Sequence, residues 1–332
     1  MKRVGNLTQR IADMENLREA FLRAARGKSG KREVVLFRED FDNNLVKLHQ
    51  ALSNGCYAFG KYHYFQVYDP KQRTICAAAF DERVVQHAMM RILHPVFDRF
   101  QIYNSYACRL EKGTYKAVER ARHFARQYRW FAKMDVQKFF DTVDHEILMG
   151  QLSHLIKDKT LFPMLRQLVE SYEVDKGRGL PIGNLSSQYF ANHYLAVADH
   201  FALEQLHVAA LVRYMDDFVV WGNDLSLLKQ QAELLRDFIF QRLNLKLHPV
   251  IINRSTVGLP FLGYVVYPHT LRLTQRSRRH FRRKWRGLEQ QLAEGRLTEA
   301  ECLQRYTAMY AFVEKAETKA YLRKIAQHRT SP

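Results

Sequence analysis

An α+β fold is what this sequence predicts, and three kinds of stretch predict it. Residues 211–221 set two acids, Asp216 and Asp217, between short runs rich in β-branched and aromatic residues, which reads as a β-hairpin with the acids at its tip. Residues 130–135 form a second apolar strand that ends in a carboxylate, Asp135. Long segments with apolar residues at helical spacing surround both. The clearest of these is 225–243, where Leu228, Ala232, Leu235, Ile239 and Leu243 make one stripe.

Taken in order, residues 7–25 carry Leu7, Ile11, Met14, Leu17, Phe21 and Leu22 at helical spacing, and Gly27-Lys28-Ser29-Gly30 ends the pattern. A second helix is expected on Phe41, Leu45, Leu48 and Leu52, with Asn54-Gly55 as its stop. Residues 57–68 are dense in aromatics, and Asp69-Pro70-Lys71-Gln72 is a turn signal before 73–79, so a strand hairpin is expected, then a helix over 81–92. Residues 104–114 read as a loop leading into an amphipathic helix with Ala117, Ala121 and Phe124. Residues 177–188 are a glycine-punctuated turn opening a helix through Phe190, Tyr194, Leu195 and Ala198. Residues 289–326 finish as helices.

Charge narrows the partners. The chain of 332 residues holds 52 Lys and Arg against 34 Asp and Glu, a formal +18, which points to a polyanion. No long apolar run or lipidation signal favours a membrane, and no apolar segment after the N-terminus marks the chain for export, so a cytoplasmic protein is expected. The excess is concentrated: from 238 to 288 there is no acid and there are eleven Lys or Arg, densest from Arg272 to Arg286. Such a stripe suits the backbone of an A-form duplex, with Phe281 and Trp285 interleaved for packing or stacking. Cys56, Cys76, Cys108 and Cys302 form no C-x-x-C pair, and reduced structural thiols are expected.

The acids carry the chemistry. Two adjacent carboxylates beside buried strands repel one another and lose hydration, a cost that a divalent cation removes. An isolated Asp-Asp is more often a polar turn. With Asp135 at the end of another strand, three carboxylates suffice for two Mg²⁺ ions roughly 3.5–4 Å apart, the arrangement that drives in-line phosphoryl displacement in polymerases. All-oxygen donors with open positions suit Mg²⁺ better than Zn²⁺.

Tyr214-Met215-Asp216-Asp217 resembles the signature of reverse transcriptases, and Asp135 with Phe139-Phe140 looks like their first catalytic block. The resemblance implies a right-hand polymerase with fingers, palm and thumb. The expected division is a helical extension over 1–56, fingers over 57–128, palm over 129–268 with a fingers-like insertion near 142–180, and a basic helical thumb over 269–332. It implies that Asp135, Asp216, Asp217 and the Val136 carbonyl bind metal, and that Arg73 and Arg109 contact the triphosphate with their forked guanidinium donors. Met215 lies beside the nucleotide, and Phe140 lies under its sugar, where a ring excludes a 2′-hydroxyl. Gly183, Phe261, Leu262 and Gly263, with Arg278, Arg282 and Arg283 of the basic stripe, fall where the family holds primer and template.

One block departs from many relatives. Where they read Gln-Gly, three residues, then Ser-Pro, this sequence has Ile182 for the Gln and Gln188 for the Pro. That form resembles the reverse transcriptases of diversity-generating retroelements, which misincorporate opposite template adenine. A branched apolar group beside the nascent base pair packs without scoring hydrogen bonds, so reduced fidelity is expected. The implied partners are a template-repeat RNA, its cDNA hybrid, deoxynucleoside triphosphates and a small, basic, oligomeric accessory protein. Residues 245–252 lack the lysine that usually follows the proline there, leaving His248 and Lys246 as candidate general acids. A retron or group II intron enzyme is the close alternative, and a palm-fold RNA-binding scaffold without chemistry is the distant one.

Overall fold

Four helices open the chain: α1 (Leu7–Ala12), α2 (Met14–Ala25), α3 (Arg32–Glu39) and α4 (Phe41–Ser53). Strands β1 (Tyr62–Val67) and β2 (Arg73–Ala78) precede the long α5 (Phe80–Phe100) and α6 (Thr114–Gln127). Strand β3 (Trp130–Asp135) leads to α7 (Phe139–Thr142), α8 (His145–Ser153), α9 (Leu161–Glu170) and α10 (Leu185–His200). Then come β4 (Ala210–Tyr214), β5 (Asp217–Gly222), α11 (Leu225–Leu243), β6 (Ile251–Arg254), β7 (Leu259–Phe261), β8 (Tyr264–Val266) and β9 (Leu271–Leu273). Helices α12 (Gln275–Ala293) and α13 (Glu299–Glu314) close the described chain. This is a computed structural model that describes residues 3–68 and 72–317. Asp69, Pro70 and Lys71 of the expected turn, and 318–326 of the expected final helix, lie outside the described residues.

The chain forms two compact units, the first comprising Met1–Tyr103, Asp135–Phe201 and Leu235–His248. In it α2 packs on α5, and Phe21, Phe37, Phe41 and Phe80 form an aromatic cluster with neighbouring centroids 4.8 to 6.4 Å apart. The single helix expected over 7–25 is broken at Asp13, whose backbone leaves the helical region and whose carboxylate accepts the Asn16 N–H at 3.0 Å to start α2. The break resets the helical phase: Leu17, Ala20, Phe21 and Ala24 turn inward, and Leu22 is left exposed. Helix α3, with only Val34 and Phe37 buried, had no stripe long enough to announce it. Helix α5 runs eight residues past Ile92 and through Pro95, because burying Val96 and Phe97 outweighs one missing N–H. Strands β1 and β2 pair antiparallel from Tyr62↔Ala78 to Val67↔Arg73.

The second unit comprises Asn104–Met134, Ala202–Leu234 and the chain from Pro249 onward. It holds a four-stranded sheet of order β4-β5-β3-β6 and a three-stranded sheet β7-β8-β9. Helix α6 covers the first sheet, its Phe124 ring 5.5 Å from Trp221, which is fully buried with Val212, Val219 and Phe131. Helix α11 buries all five residues of its expected stripe. Helix α12 starts at Thr274, whose hydroxyl accepts the Ser277 N–H, and α13 starts in a Thr298/Glu301 capping box. Phe281 is buried and Trp285 packs edge-on against Tyr306 of α13 at 4.6 Å, so both aromatics of the basic stripe serve packing. Among the described residues no helix is long and apolar enough to cross a membrane.

Candidate functional site

In the second unit, β4 and β5 pair from Ala210↔Trp221 to Tyr214↔Asp217, leaving a two-residue turn of Met215 and Asp216. Short runs of apolar residues buried on both faces supply the strands, and the two-residue loop fixes their register. Met215 adopts φ 56°, a left-handed conformation costly for a side chain with a Cβ. Fully buried Arg213 supports it: its Nη1 donates to the Met215 carbonyl at 3.2 Å and its guanidinium lies over the Phe218 ring. Sequence reasoning missed Arg213. The available signal was a lone cation in an otherwise apolar strand, since buried charge is kept only where it is bonded. Arg213→Leu is expected to lower unfolding free energy by about 3 kcal/mol in a denaturant titration, because the Met215 carbonyl loses its buried charged donor.

Asp217 opens β5, partly buried, with the Lys133 ammonium 2.9 Å from its Oδ1, an ion pair whose angles are not those of a hydrogen bond. The same ammonium donates to the Pro260 carbonyl at 3.2 Å. Lys133 lies two residues before Asp135 on β3, so strand alternation puts both on one face. It too went unnoticed in the sequence, where it is one lysine among many.

The Arg109 loop is laid along β4. The Arg213 N–H donates to the Asn104 carbonyl at 3.0 Å, and the Tyr106 N–H donates to the Arg213 carbonyl at 2.9 Å. Arg109 donates through Nη1 to the Ser105 carbonyl at 2.9 Å, and left-handed residues Cys108 and Glu111 flank it. This unit therefore brings the Arg109 loop beside the strand that carries the acid turn.

In the first unit, Asp135 and Val136 run against 246–248. The His248 N–H donates to the Asp135 carbonyl and the Gln137 N–H to the Lys246 carbonyl, each at 2.8 Å. That ladder uses neither the N–H nor the carbonyl of Val136 itself. Phe139 is buried, whereas Phe140 is partly exposed and meets it edge-on at 5.6 Å. Arg73, exposed at the start of β2, is close enough to Asp141 to act on its ionisation. Burial raises the Asp141 carboxyl above the usual range, with Lys138 and Arg73 opposing.

The turn that carries Ile182 and Gly183 is fastened to the hairpin. The Cys76 N–H donates to the Ile182 carbonyl at 2.9 Å, and a Cβ on Gly183 would come within 2.9 Å of Ile75. Glycine is thus required there by protein packing, at φ 118°. The Leu180 N–H donates to the Phe140 carbonyl at 2.7 Å, which links this turn to α7. Gln188 sits in the first turn of α10, partly exposed. So Arg73, Phe140 and the 180–184 turn belong to one bonded assembly.

Phe261 and Tyr264 pair across the two-residue turn of Leu262 and Gly263, both left-handed. A Cβ on Gly263 would meet Phe312 at 2.9 Å and Ser277 at 3.0 Å, and the Gly263 carbonyl accepts from the Ser277 hydroxyl. The close approach that glycine permits here is to α12 and α13. Arg278, Arg282 and Arg283 are exposed on α12. Among the described residues no three His, Cys, Asp or Glu side chains stand together as a ready metal cage. The acids of the hairpin offer carboxylate oxygens as donors, a chemistry that fits Mg²⁺.

Residues 68–266, more than half of the chain, match the family described as reverse transcriptase (RNA-dependent DNA polymerase). Curated relatives include the putative COX1/OXI3 intron 1 protein of Saccharomyces cerevisiae, 25% identical over 49% of this chain and 21% of its own. The group II intron-encoded protein LtrA of Lactococcus lactis subsp. cremoris is 23% identical over 49% of this chain and 29% of its own. Protein YkfC of Escherichia coli is 25% identical over 48% of this chain and 45% of its own. Each match covers less than half of the relative's length. Telomerase from Candida tropicalis, solved with a fragment of telomeric RNA, superposes with a TM-score of 0.51 over 89% of this chain and 59% of that one, at 10% identity. That likeness carries the fold, the right-hand polymerase expected from the sequence. With its acid-tipped hairpin, the 182–188 block and the ordered match across 68–266, the chain belongs to the reverse transcriptase family.

Proposed function

We propose that the chain is an RNA-directed DNA polymerase of a diversity-generating retroelement, copying a template-repeat RNA with frequent errors opposite adenine. The observation that carries the specific reading is the 182–188 block, where Ile182 stands against the hairpin through its carbonyl bond to Cys76 and Gln188 closes the sequence. An aliphatic side chain there packs against a base pair without testing its hydrogen bonds, and packing alone discriminates weakly. Asp135, Asp216 and Asp217 hold two Mg²⁺ ions in this reading, with the Val136 carbonyl as a further donor. Supporting it, all three acids fall within the residues 68–266 that match the reverse transcriptase family. When bound, the metal supplies positive charge against the triphosphate and activates the attacking hydroxyl.

The chain's own residues do the rest. Arg73 and Arg109 grip phosphate oxygens, Phe140 excludes a 2′-hydroxyl, and Met215 and Gln188 line the nucleotide. Gly183 and the 261–263 turn place template and primer, while Arg278, Arg282 and Arg283 follow the backbone of the hybrid. The division into extension, fingers, palm and thumb at 56, 128 and 268 belongs to this proposal, as does a small basic accessory protein.

Names of relatives such as LtrA favour a second reading, an intron-type reverse transcriptase. Copying a defined RNA with Mg²⁺ and four deoxynucleotides, then sequencing the product, separates the two. Errors concentrated at template adenines support the retroelement reading; errors spread over all four bases favour the intron type, and no RNA-templated extension removes both. Ile182→Gln is expected to lower misincorporation opposite adenine severalfold, about 1 kcal/mol of restored discrimination. An unaltered error spectrum would detach fidelity from this block.

A further inference from the structure

Two buried polar residues on α5, absent from every motif above, bind the hairpin and the 182–188 block to one another. Glu82 is fully buried and Gln86 nearly so, one helical turn apart. Glu82 Oε2 accepts the N–H groups of Gly60 at 2.9 Å and Lys61 at 3.3 Å, at the foot of β1. Its Oε1 accepts from Gln86 Nε2 at 3.1 Å. Gln86 Oε1 in turn accepts the Ser186 hydroxyl at 3.1 Å and the Ser186 N–H at 3.5 Å, in the first turn of α10. The strand on the hairpin's other side is tied to the same turn, since Asn184 Oδ1 accepts the Ala78 N–H at 3.4 Å and the Ile182 carbonyl accepts that of Cys76.

The arrangement of the caps is unusual. Asn184 is the N-cap of α10, yet its side chain makes no bond to its own helix and instead holds β2. The orphan amide of Ser186 is left to Gln86, a residue 100 positions earlier in the chain. A buried carboxylate is a costly way to hold helices together, and apolar side chains of similar size would do so at less expense of desolvation. Burial raises the Glu82 carboxyl above its usual range, against the bonds from Gly60, Gln86 and Lys61.

We propose that Glu82, Gln86 and Ser186 are a buried positioning relay that holds the β1–β2 hairpin and the 182–184 turn in one attitude, and so sets how tightly an incoming nucleotide is received. This rests on the polymerase reading for the nucleotide; the mechanical link rests on the bonds alone. None of the three touches substrate. They act through Arg73 on the hairpin and Ile182 on the turn.

The test uses the full chain with Glu82→Gln, Glu82→Ala and Gln86→Leu. Hydrogen exchange at the amides of 60–61 and 76–78 reports the link without any activity, and steady-state extension gives KM and kcat for the deoxynucleotide. Glu82→Ala and Gln86→Leu are expected to speed exchange at those amides about tenfold and to raise KM about tenfold with kcat within about twofold, as loss of one positioning hydrogen bond predicts. Glu82→Gln is expected to restore both. Its amide oxygen still accepts from Gly60 and Lys61, and a flipped Gln86 accepts from its NH₂ and donates to the Ser186 hydroxyl, giving up only the 3.5 Å bond from the Ser186 N–H.

If Glu82→Ala does not fold, Gln86→Leu and Glu82→Gln carry the test. Unchanged exchange in a folded Gln86→Leu overturns the relay. So does faster exchange with an unmoved KM, or a Glu82→Gln variant as impaired as Gln86→Leu. A parent chain that extends no primer while its variants show the exchange pattern overturns the polymerase reading and leaves the link intact.

Discussion

Asp216→Asn is expected to cut nucleotide addition by about three orders of magnitude or more, while RNA affinity stays within about twofold of the parent. The positive charge that a bound metal would set against the transferring phosphoryl group is worth several kcal/mol, and about 1.4 kcal/mol is tenfold in rate. The amide keeps the shape of the carboxylate and one acceptor oxygen, puts an NH₂ donor in place of the other, and removes the anion that draws the metal. Folding should not suffer. Replacing one of two adjacent carboxylates relieves repulsion at the turn, and Asp217 retains its Lys133 partner. The α12 arginines are untouched, so RNA retention should keep its steep salt dependence. Single-turnover primer extension and filter binding at two salt concentrations measure the two halves. Extension at the parent rate takes Asp216 out of the metal set; loss of RNA binding together with extension means that the turn is structural.

The second large effect is expected at Phe140. Phe140→Ala should let ribonucleotides in, narrowing the ratio of kcat/KM for deoxy over ribo substrates by about 10- to 100-fold, the size of a 1–3 kcal/mol steric penalty. Phe140 is only partly buried, so removing its ring should cost the fold little, whereas buried Phe139→Ala should destabilise by about 3–5 kcal/mol. Comparing the two adjacent rings separates selection from packing. A Phe140→Ala enzyme that still refuses ribonucleotides places the sugar check on another residue.

Much of the fold was legible because it is local. The acid-tipped hairpin announced itself through two short apolar runs, rich in β-branched and aromatic residues, on either side of the acids. The α11 stripe, the β1–β2 hairpin and the helix after the 177–188 turn each follow from spacing within one element. Misreadings arose where one residue changed the phase. Asp13 split a continuous stripe by capping a new helix, and α5 runs beyond its expected end at Ile92, through Pro95, where burial of Val96 and Phe97 outweighs one missing N–H. At the candidate site, residue types and motif order were visible in the chain, while the groups that hold them were not.

What the amino-acid order settled was the family, the strands and helices that carry its blocks, and the gathering of positive charge near the end of the chain. Each of these rests on neighbours a few positions apart, where sterics and hydrophobic spacing act directly. Tertiary structure alone decided that Arg213 is buried beneath the Met215 carbonyl, that Lys133 faces Asp217, that Phe281 belongs to the core, and that Glu82 and Gln86 join the hairpin to α10. A buried polar group takes whatever partner packing brings to it, here from up to a hundred residues away, and no periodicity in the chain records that choice.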